Sequence, residues 1–190
     1  MDLEILKGIH ATFHSQTWLN FIMVGITWLG EFGAAAILLA VILFIFKKTR
    51  WSGVAVAVAL IIDFLIVNVI LKYSVNRPRP WIEWNEIIDF YKSVGARQPY
   101  DSSFPSGHAA SCFAAAVVCL FRFKWKGIPV LIVALLVAVS RIYLCLHYPS
   151  DVLGGVLIGS ACGVICHFAV KAIERKVGRK SDMDNGENRT

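Results

Sequence analysis

Three short clusters carry the residues capable of chemistry. The first, Lys72-Tyr-Ser-Val-Asn-Arg-Pro-Arg79-Pro80, sets two cations seven residues apart where an apolar run meets a proline-rigid turn, with Arg77 as a third. The second, Phe104-Pro105-Ser106-Gly107-His108, opens an apolar run, with Ser106 placed to cap a helix. The third is Ser140-Arg141-Ile-Tyr-Leu-Cys-Leu-His147-Tyr-Pro-Ser-Asp151. A helix N-terminus offers free N–H groups and the positive end of a dipole, so Ser106 and Gly107 read as an anion site. Gly107 lets the backbone approach an oxygen closely. Arg79 and Arg141 can grip phosphate oxygens bidentately, and Lys72 adds a compact charge. Together they make a trianion pocket that needs no metal. Of the two histidines, one could attack phosphorus and the other protonate the leaving oxygen. Asp151, four residues after His147, could accept the far ring proton and fix the nucleophile's tautomer.

Each piece alone has a bland reading. A Ser-Gly-His triplet recurs by chance, a histidine at a helix end is more often structural, and Lys or Arg at the end of an apolar run usually anchors it to the interface. Those readings do not explain why all three clusters fall on the same side of a membrane.

The elements that would position these residues follow from hydropathy. Of 190 residues, 57% are hydrophobic and 17% charged, and the mean hydropathy is +0.63, too apolar for an ordinary soluble domain. The net charge of +6 sits in clusters beside apolar runs, which points to membrane topology and not to nucleic acid. The expected fold is all-α: a polytopic membrane helical bundle of about five transmembrane helices, each near the ~20 residues a crossing takes. The spans are read as 32–46, 53–71, 105–121, 128–146 and 152–173. Residues 1–29 are read as N-terminal interfacial helices, with 16–29 lying on the membrane in preference to a sixth crossing. No cleavable signal peptide is recognised. Residues 73–104 form a polar extracytoplasmic segment too long for a simple turn, and 176–190 a charged tail expected to be disordered.

The clusters Lys47–Arg50, Arg122–Lys126 and Lys171–Lys180 fall on one side, which the positive-inside rule places in the cytoplasm. The chemistry-bearing clusters then face the extracytoplasmic side of a cell membrane. Gly155, Gly159 and Gly163 form a small-residue face for close helix packing within one chain. Asp63 reads as a structural hydrogen-bonding residue inside a span, and Glu31 as needing no special role. The five cysteines read as buried, apolar-like side chains, neither a disulfide framework nor a metal site.

The three clusters match the signature K-x6-R-P, P-S-G-H and S-R-x5-H-x3-D at every position, and so the chain resembles the type 2 phosphatidic acid phosphatase family between Lys72 and Asp151. The resemblance implies a membrane phosphatase domain over 1–175, with His147 as nucleophile, Asp151 as its partner and His108 as general acid. It implies that Lys72, Arg79, Ser106, Gly107 and Arg141 bind the substrate's phosphate, with no metal and no cofactor. The expected partners are a lipid phosphate and membrane lipids, with no nucleic acid. Undecaprenyl pyrophosphate is the first substrate expected, with phosphatidylglycerol phosphate and phosphatidic acid as rivals and a non-catalytic phosphate-binding membrane protein as a distant alternative. The family's vanadate-dependent haloperoxidases are soluble and larger, which the spans here argue against. Lys92 and Arg97 are candidates to meet a second phosphate, and Trp81, Trp84, Phe90 and Tyr91 to form an aromatic lip over the site.

Overall fold

The structure, a computed structural model, describes residues 1–187; of Phe32 and 180–187 only the backbone is described. All regular elements among the described residues are helical. They are α1 (Asp2–Phe13), α2 (Thr17–Leu29), α3 (Ala34–Ile45), α4 (Arg50–Phe64), α5 (Lys72–Val75), α6 (Pro80–Glu83), α7 (Ile87–Val94), α8 (Gly107–Phe123), α9 (Ile128–Tyr143) and α10 (Pro149–Glu187). The expected tail falls partly on this last helix, which runs on through 176–187, and partly on 188–190, which lie outside the described residues.

α8 is the central helix, and its small side chains are the reason. Ala109, Ala110, Ala114, Ala115 and Ala116 are fully or almost fully buried, which lets α4, α9 and α10 approach on several faces. α10 comes closest. A Cβ added at Gly159 would lie 2.0 Å from the carbonyl oxygen of Ala110, and one at Gly155 2.4 Å from that of Ser106. The glycine stripe is thus spent on packing within the chain, as its spacing implies. Apolar surroundings give helices no hydrophobic reason to associate, so this close van der Waals fit is what holds them.

Three helical stretches are long and apolar enough to cross a membrane: Arg50–Glu83, Gly107–Tyr143 and Pro149–Arg179. The pair Thr17–Leu29 and Ala34–Ile45, bent by 48°, makes a fourth if taken as one span. The expected count of five divides the chain differently for two reasons. Two expected spans lie inside Gly107–Tyr143, which is interrupted at Lys124 (φ 54) and the short 3-10 turn Lys124–Gly127, so that α9 folds back on α8. The other reason is length: α3 has 12 residues, about 18 Å at 1.5 Å each, and reaches bilayer thickness only together with α2. Exposed Leu38, Ile61, Leu135, Leu157 and Ile165 present hydrocarbon around the bundle, and all five cysteines are buried and free.

The segment 73–104 is folded over one end of the bundle. Ile87 and Tyr91 on α7 are buried with Leu6 of α1 and with Leu144, Cys145, Leu146 and Tyr148 in the turn between α9 and α10. The Tyr91 hydroxyl donates to the Cys145 carbonyl at 2.6 Å. Tyr91 is therefore core, while Trp81, Trp84 and Phe90 pack half-buried against the same cluster.

Replacing Gly159 with Val should force α10 off α8 and cost about 1–3 kcal/mol, the usual penalty of overpacking. Gly178→Ala, where nothing lies within 4 Å of the added carbon, should cost far less. Melting temperatures in detergent measure both, and equal values would contradict the packing described.

Candidate active site

The turn between α9 and α10 carries His147. Arg141, at the end of α9, accepts through its carbonyl from the N–H groups of Leu146 (3.0 Å) and His147 (3.3 Å), which fixes the turn's backbone. Pro149 then opens α10, where a missing N–H costs nothing. His147 is 1% exposed. Its Nδ1 lies 2.7 Å from the carbonyl oxygen of Ser103, so Nδ1 carries the proton and donates it, leaving a lone pair on Nε2.

This differs from the sequence reading, in which Asp151 accepts that proton. The nearest Asp151 oxygen is 3.9 Å from Nδ1, beyond a hydrogen bond. Asp151 accepts instead from Ser103 Oγ (2.5 Å), from Tyr148 N–H (3.0 Å) and from Arg77 Nη1 (2.6 Å). It holds the two segments that frame His147, and its charge faces the ring at one remove.

Arg77, outside the signature, is the hub of this support. It donates to Asp151, to Ser150 Oγ (2.7 Å) and to Asp2 Oδ2 (2.9 Å), and its guanidinium lies 4.1 Å from the ring centroid of Tyr148. Asp2 also accepts from the Ser150 hydroxyl. The start of the chain is in this way tied to the start of α10.

The cations converge as the spacing implies. Arg79 is 3% exposed. It donates to the Leu146 carbonyl at 2.7 Å, and the same Nη1 lies 3.0 Å from His147 Nε2. Its other nitrogens meet the carbonyl and carboxylate of Asp101, and Lys72 Nζ bonds the same carboxylate. Burial works against ionising Asp101, but Arg79 and Lys72 more than offset it and hold its carboxyl below the ordinary range. Two of the three expected phosphate-binding cations therefore hold a carboxylate. The third, Arg141, donates to Thr27 Oγ1 at 2.7 Å, and its buried Nε has no hydrogen-bond partner among the described residues.

At the start of α8, Gly107 lines the same space but Ser106 does not face it. Ser106 is fully buried, its Oγ caps the helix by accepting from Ala109 N–H (3.5 Å), and its own N–H donates to the Asp151 carbonyl (3.0 Å). Of the two residues expected to meet an anion at this helix end, Gly107 lines the cavity and Ser106 serves as the cap. Lys72 is delivered by a π-helical stretch, Leu65–Leu71, a wider turn of the kind that recurs at functional sites.

His108, on the first turn of α8, has its Nε2 3.2 Å from Glu31 Oε2. Glu31 sits in the short 3-10 turn Glu31–Gly33 and also lies 3.6 Å from Arg97. The sequence reading gave Glu31 no role, because no local pattern links residues 77 positions apart. Of the two candidates for a second phosphate, Arg97 reaches the site. Lys92 pairs with Asp89 on the exposed face of α7 and is absent from the cavity wall.

Lys72, Arg79, Arg97, Gly107, His108, Arg141 and His147 all line one cavity of about 1220 Å³. It continues past them as an apolar arm between α3 and α4, walled by Ile37, Val41, Phe44, Val54, Val58 and Ile61. Asp63 also lines it and is 2% exposed; its Oδ1 has no partner among the described residues, which sets aside the hydrogen-bonding role read for it.

An all-helical bundle with histidines and cations gathered at one end and an apolar arm below them defines a membrane lipid phosphatase. Residues 51–175 match the PAP2 superfamily, and the chain belongs to that family. It is 34% identical over 171 residues to undecaprenyl-diphosphatase BcrC of Bacillus subtilis (strain 168), covering 87% of this chain and 82% of that protein. It is 32% identical over 178 residues to lipid A 4'-phosphatase of Bacteroides thetaiotaomicron, covering 88% and 76%. The crystal structure of the PAP2-type phosphatidylglycerolphosphate phosphatase of Bacillus subtilis superposes with a TM-score of 0.69 at 30% identity, over 93% of this chain and 85% of that one.

Burial, with the Arg79 and Arg141 cations next to it, pushes the His147 imidazole well below its ordinary 6.5. A lowered value keeps Nε2 unprotonated as pH falls. The profile of kcat/KM, corrected for the substrate's own ionisation, should show no inflection from this ring between about pH 7 and 5, where an ordinary histidine titrates. An inflection near 6.5 that persists in His108→Gln would contradict this.

Proposed function

We propose that the chain hydrolyses a lipid pyrophosphate, undecaprenyl pyrophosphate first, through a phosphohistidine on His147. The observation that carries this reading is the single cavity joining a cationic, histidine-bearing end to a hydrocarbon-lined arm. A phosphate at the polar end would replace the Asp101 carboxylate on Lys72 and Arg79 and fill the open valence of Arg141. The Nε2 lone pair of His147 then forms the N–P bond as the P–O bond to the leaving group breaks. The electron pair stays on the leaving oxygen, which takes a proton from His108. A water molecule next attacks phosphorus and gives its proton to His108, and the N–P pair returns to Nε2. Ser103's carbonyl stabilises the ring while it bears the phosphoryl group. The cations supply the charge stabilisation that a metal would otherwise bring.

The topology belongs to this proposal. Counting α8 and α9 as two crossings and the bent α2–α3 pair with them gives five, with α1 at the surface. The ion pair of Arg122 with Glu174 at 2.6 Å puts the C-terminal end of α8 beside the basic stretch of α10, and the site lies at the opposite end of both helices. The positive-inside rule then places the site outside the cytoplasm, where a carrier lipid on the outer leaflet enters sideways through the apolar arm. Arg97 is the residue placed to meet a second phosphate. Relatives acting on undecaprenyl diphosphate and on lipid A stand at nearly equal identity, so the headgroup is decided by assay.

Phosphate release in detergent and EDTA from undecaprenyl or farnesyl pyrophosphate, phosphatidylglycerol phosphate and phosphatidic acid ranks the substrates. The pyrophosphates should be fastest, and Arg97→Ala should weaken them more than the monophosphates. His147→Ala should lose at least about a thousand-fold in turnover. Preference for phosphatidylglycerol phosphate would overturn the substrate, and near-normal activity of His147→Ala would overturn the mechanism.

A further inference from the structure

The proton on His108 is the part of the reaction that the signature residues leave unsupported. His147 has the Ser103 carbonyl and, beyond it, Asp151. His108 has one carboxylate against it, that of Glu31, with Oε2 3.2 Å from Nε2. The seat is closely shaped: a Cβ at Gly30 would lie 2.9 Å from His108 Cδ2 and 2.8 Å from Val137 Cγ1. A side chain at Gly30 would have to displace the His108 ring or Val137, and the next residue in the chain is Glu31.

The charges around His108 give the contact its purpose. Lys72, Arg79 and Arg141 share its cavity, with Arg97 at the mouth and His147 across it. The cations among these oppose a positive imidazole. Three carboxylates line the same cavity among the described residues: Asp63 lies on α4 beside the apolar arm, Asp101 is already bonded by Lys72 and Arg79, and Glu31 alone of the three is in contact with His108. Glu31 is the one left to balance a proton on His108. Thr27, one turn earlier, holds Arg141 at 2.7 Å, so the segment joining α2 to α3 orients two site residues at once. Neither Thr27 nor Glu31 lies within residues 51–175 that match the family.

We propose that Glu31 is the positioning residue of the general acid, holding His108 in the orientation and charge state from which it protonates the leaving oxygen. The inference rests on the phosphatase reading above. In the cleavage step the proton leaves His108 for the departing oxygen, and in the hydrolysis step a proton of the attacking water returns to it. Glu31 takes no part in either transfer and faces the protonated ring at the start and end of the cycle. Arg97 lies 3.6 Å from the other carboxylate oxygen.

A general acid matters most where the leaving group is poor. The full-length protein in detergent is therefore assayed on dioctanoylglycerol phosphate, whose alkoxide needs a proton, and on p-nitrophenyl phosphate, whose nitrophenolate leaves without one. In Glu31→Gln, kcat on the lipid should fall at least about tenfold more than kcat on the nitrophenyl ester, with little change in KM for either. Equal falls on both substrates, or none on either, would overturn the proposal. Should Glu31→Gln lose its monodisperse gel-filtration peak, Glu31→Asp carries the same comparison; it keeps the charge with a shorter reach and should shift the ratio in the same direction by a smaller factor. Wild-type protein silent on both esters and on farnesyl pyrophosphate would sink the phosphatase reading and the inference together. Active wild type with an unchanged ratio in the variants sinks only the inference.

Discussion

Three cations, Lys72, Arg79 and Arg141, are brought into one cavity whose lower walls are hydrocarbon. Like charges in a poorly screened space repel, and the repulsion grows as water is excluded. Much of the surrounding structure balances that cost. Asp101 bridges Lys72 and Arg79, Glu31 stands against His108, and Asp151 and Asp2 hold Arg77 beside them. Lys72 and Arg79 are bonded to the Asp101 carboxylate, and in the proposed reaction the same donors would turn to a phosphate. Cations fixed before the substrate arrives also need little reorganisation when charge develops on the transferring phosphoryl group.

The packing serves that arrangement. The alanines of α8 and the glycines of α10 bring two helix N-termini close together, so that Ser106 N–H reaches the Asp151 carbonyl at 3.0 Å. His108 and His147 face one space because α8, which carries the first, and α10, which follows the turn carrying the second, are locked backbone to backbone. The segment 73–104, anchored by Ile87 and Tyr91, and α1, anchored by Leu6 and Asp2, close over the top. The apolar arm beneath is walled by side chains of α3 and α4, two helices that are themselves closely packed at Gly53.

Which residues meet was legible in the sequence wherever spacing along a helix or turn decides it. Lys72 and Arg79, Gly107 and His108, and Arg141 and His147 all line one cavity, as their motifs imply. The glycine face of α10 was legible for the same reason, since a four-residue repeat defines a helix stripe. What stayed hidden involves partners distant in sequence or carried by the backbone. The acceptor for His147 is the Ser103 carbonyl, which every residue type possesses. Asp151, at the right spacing for that task, is turned aside to Ser103 Oγ and Arg77. Glu31 and Thr27 reach His108 and Arg141 across 77 and 114 positions, and no local pattern announces them. The number of crossings was blurred because α8 and α9 are joined by a tight helical turn and α3 is too short to cross unaided.

The phosphoryl group's temporary home is the feature on which the catalytic reading turns. Rapid quenching of the protein during turnover of a 32P-labelled lipid phosphate, followed by proteolysis, locates it directly. A label that survives base, is lost in acid and maps to the peptide containing His147, and that is absent from His147→Ala, is the expected result. No bound label during turnover, or a label that persists in His147→Ala, would contradict it.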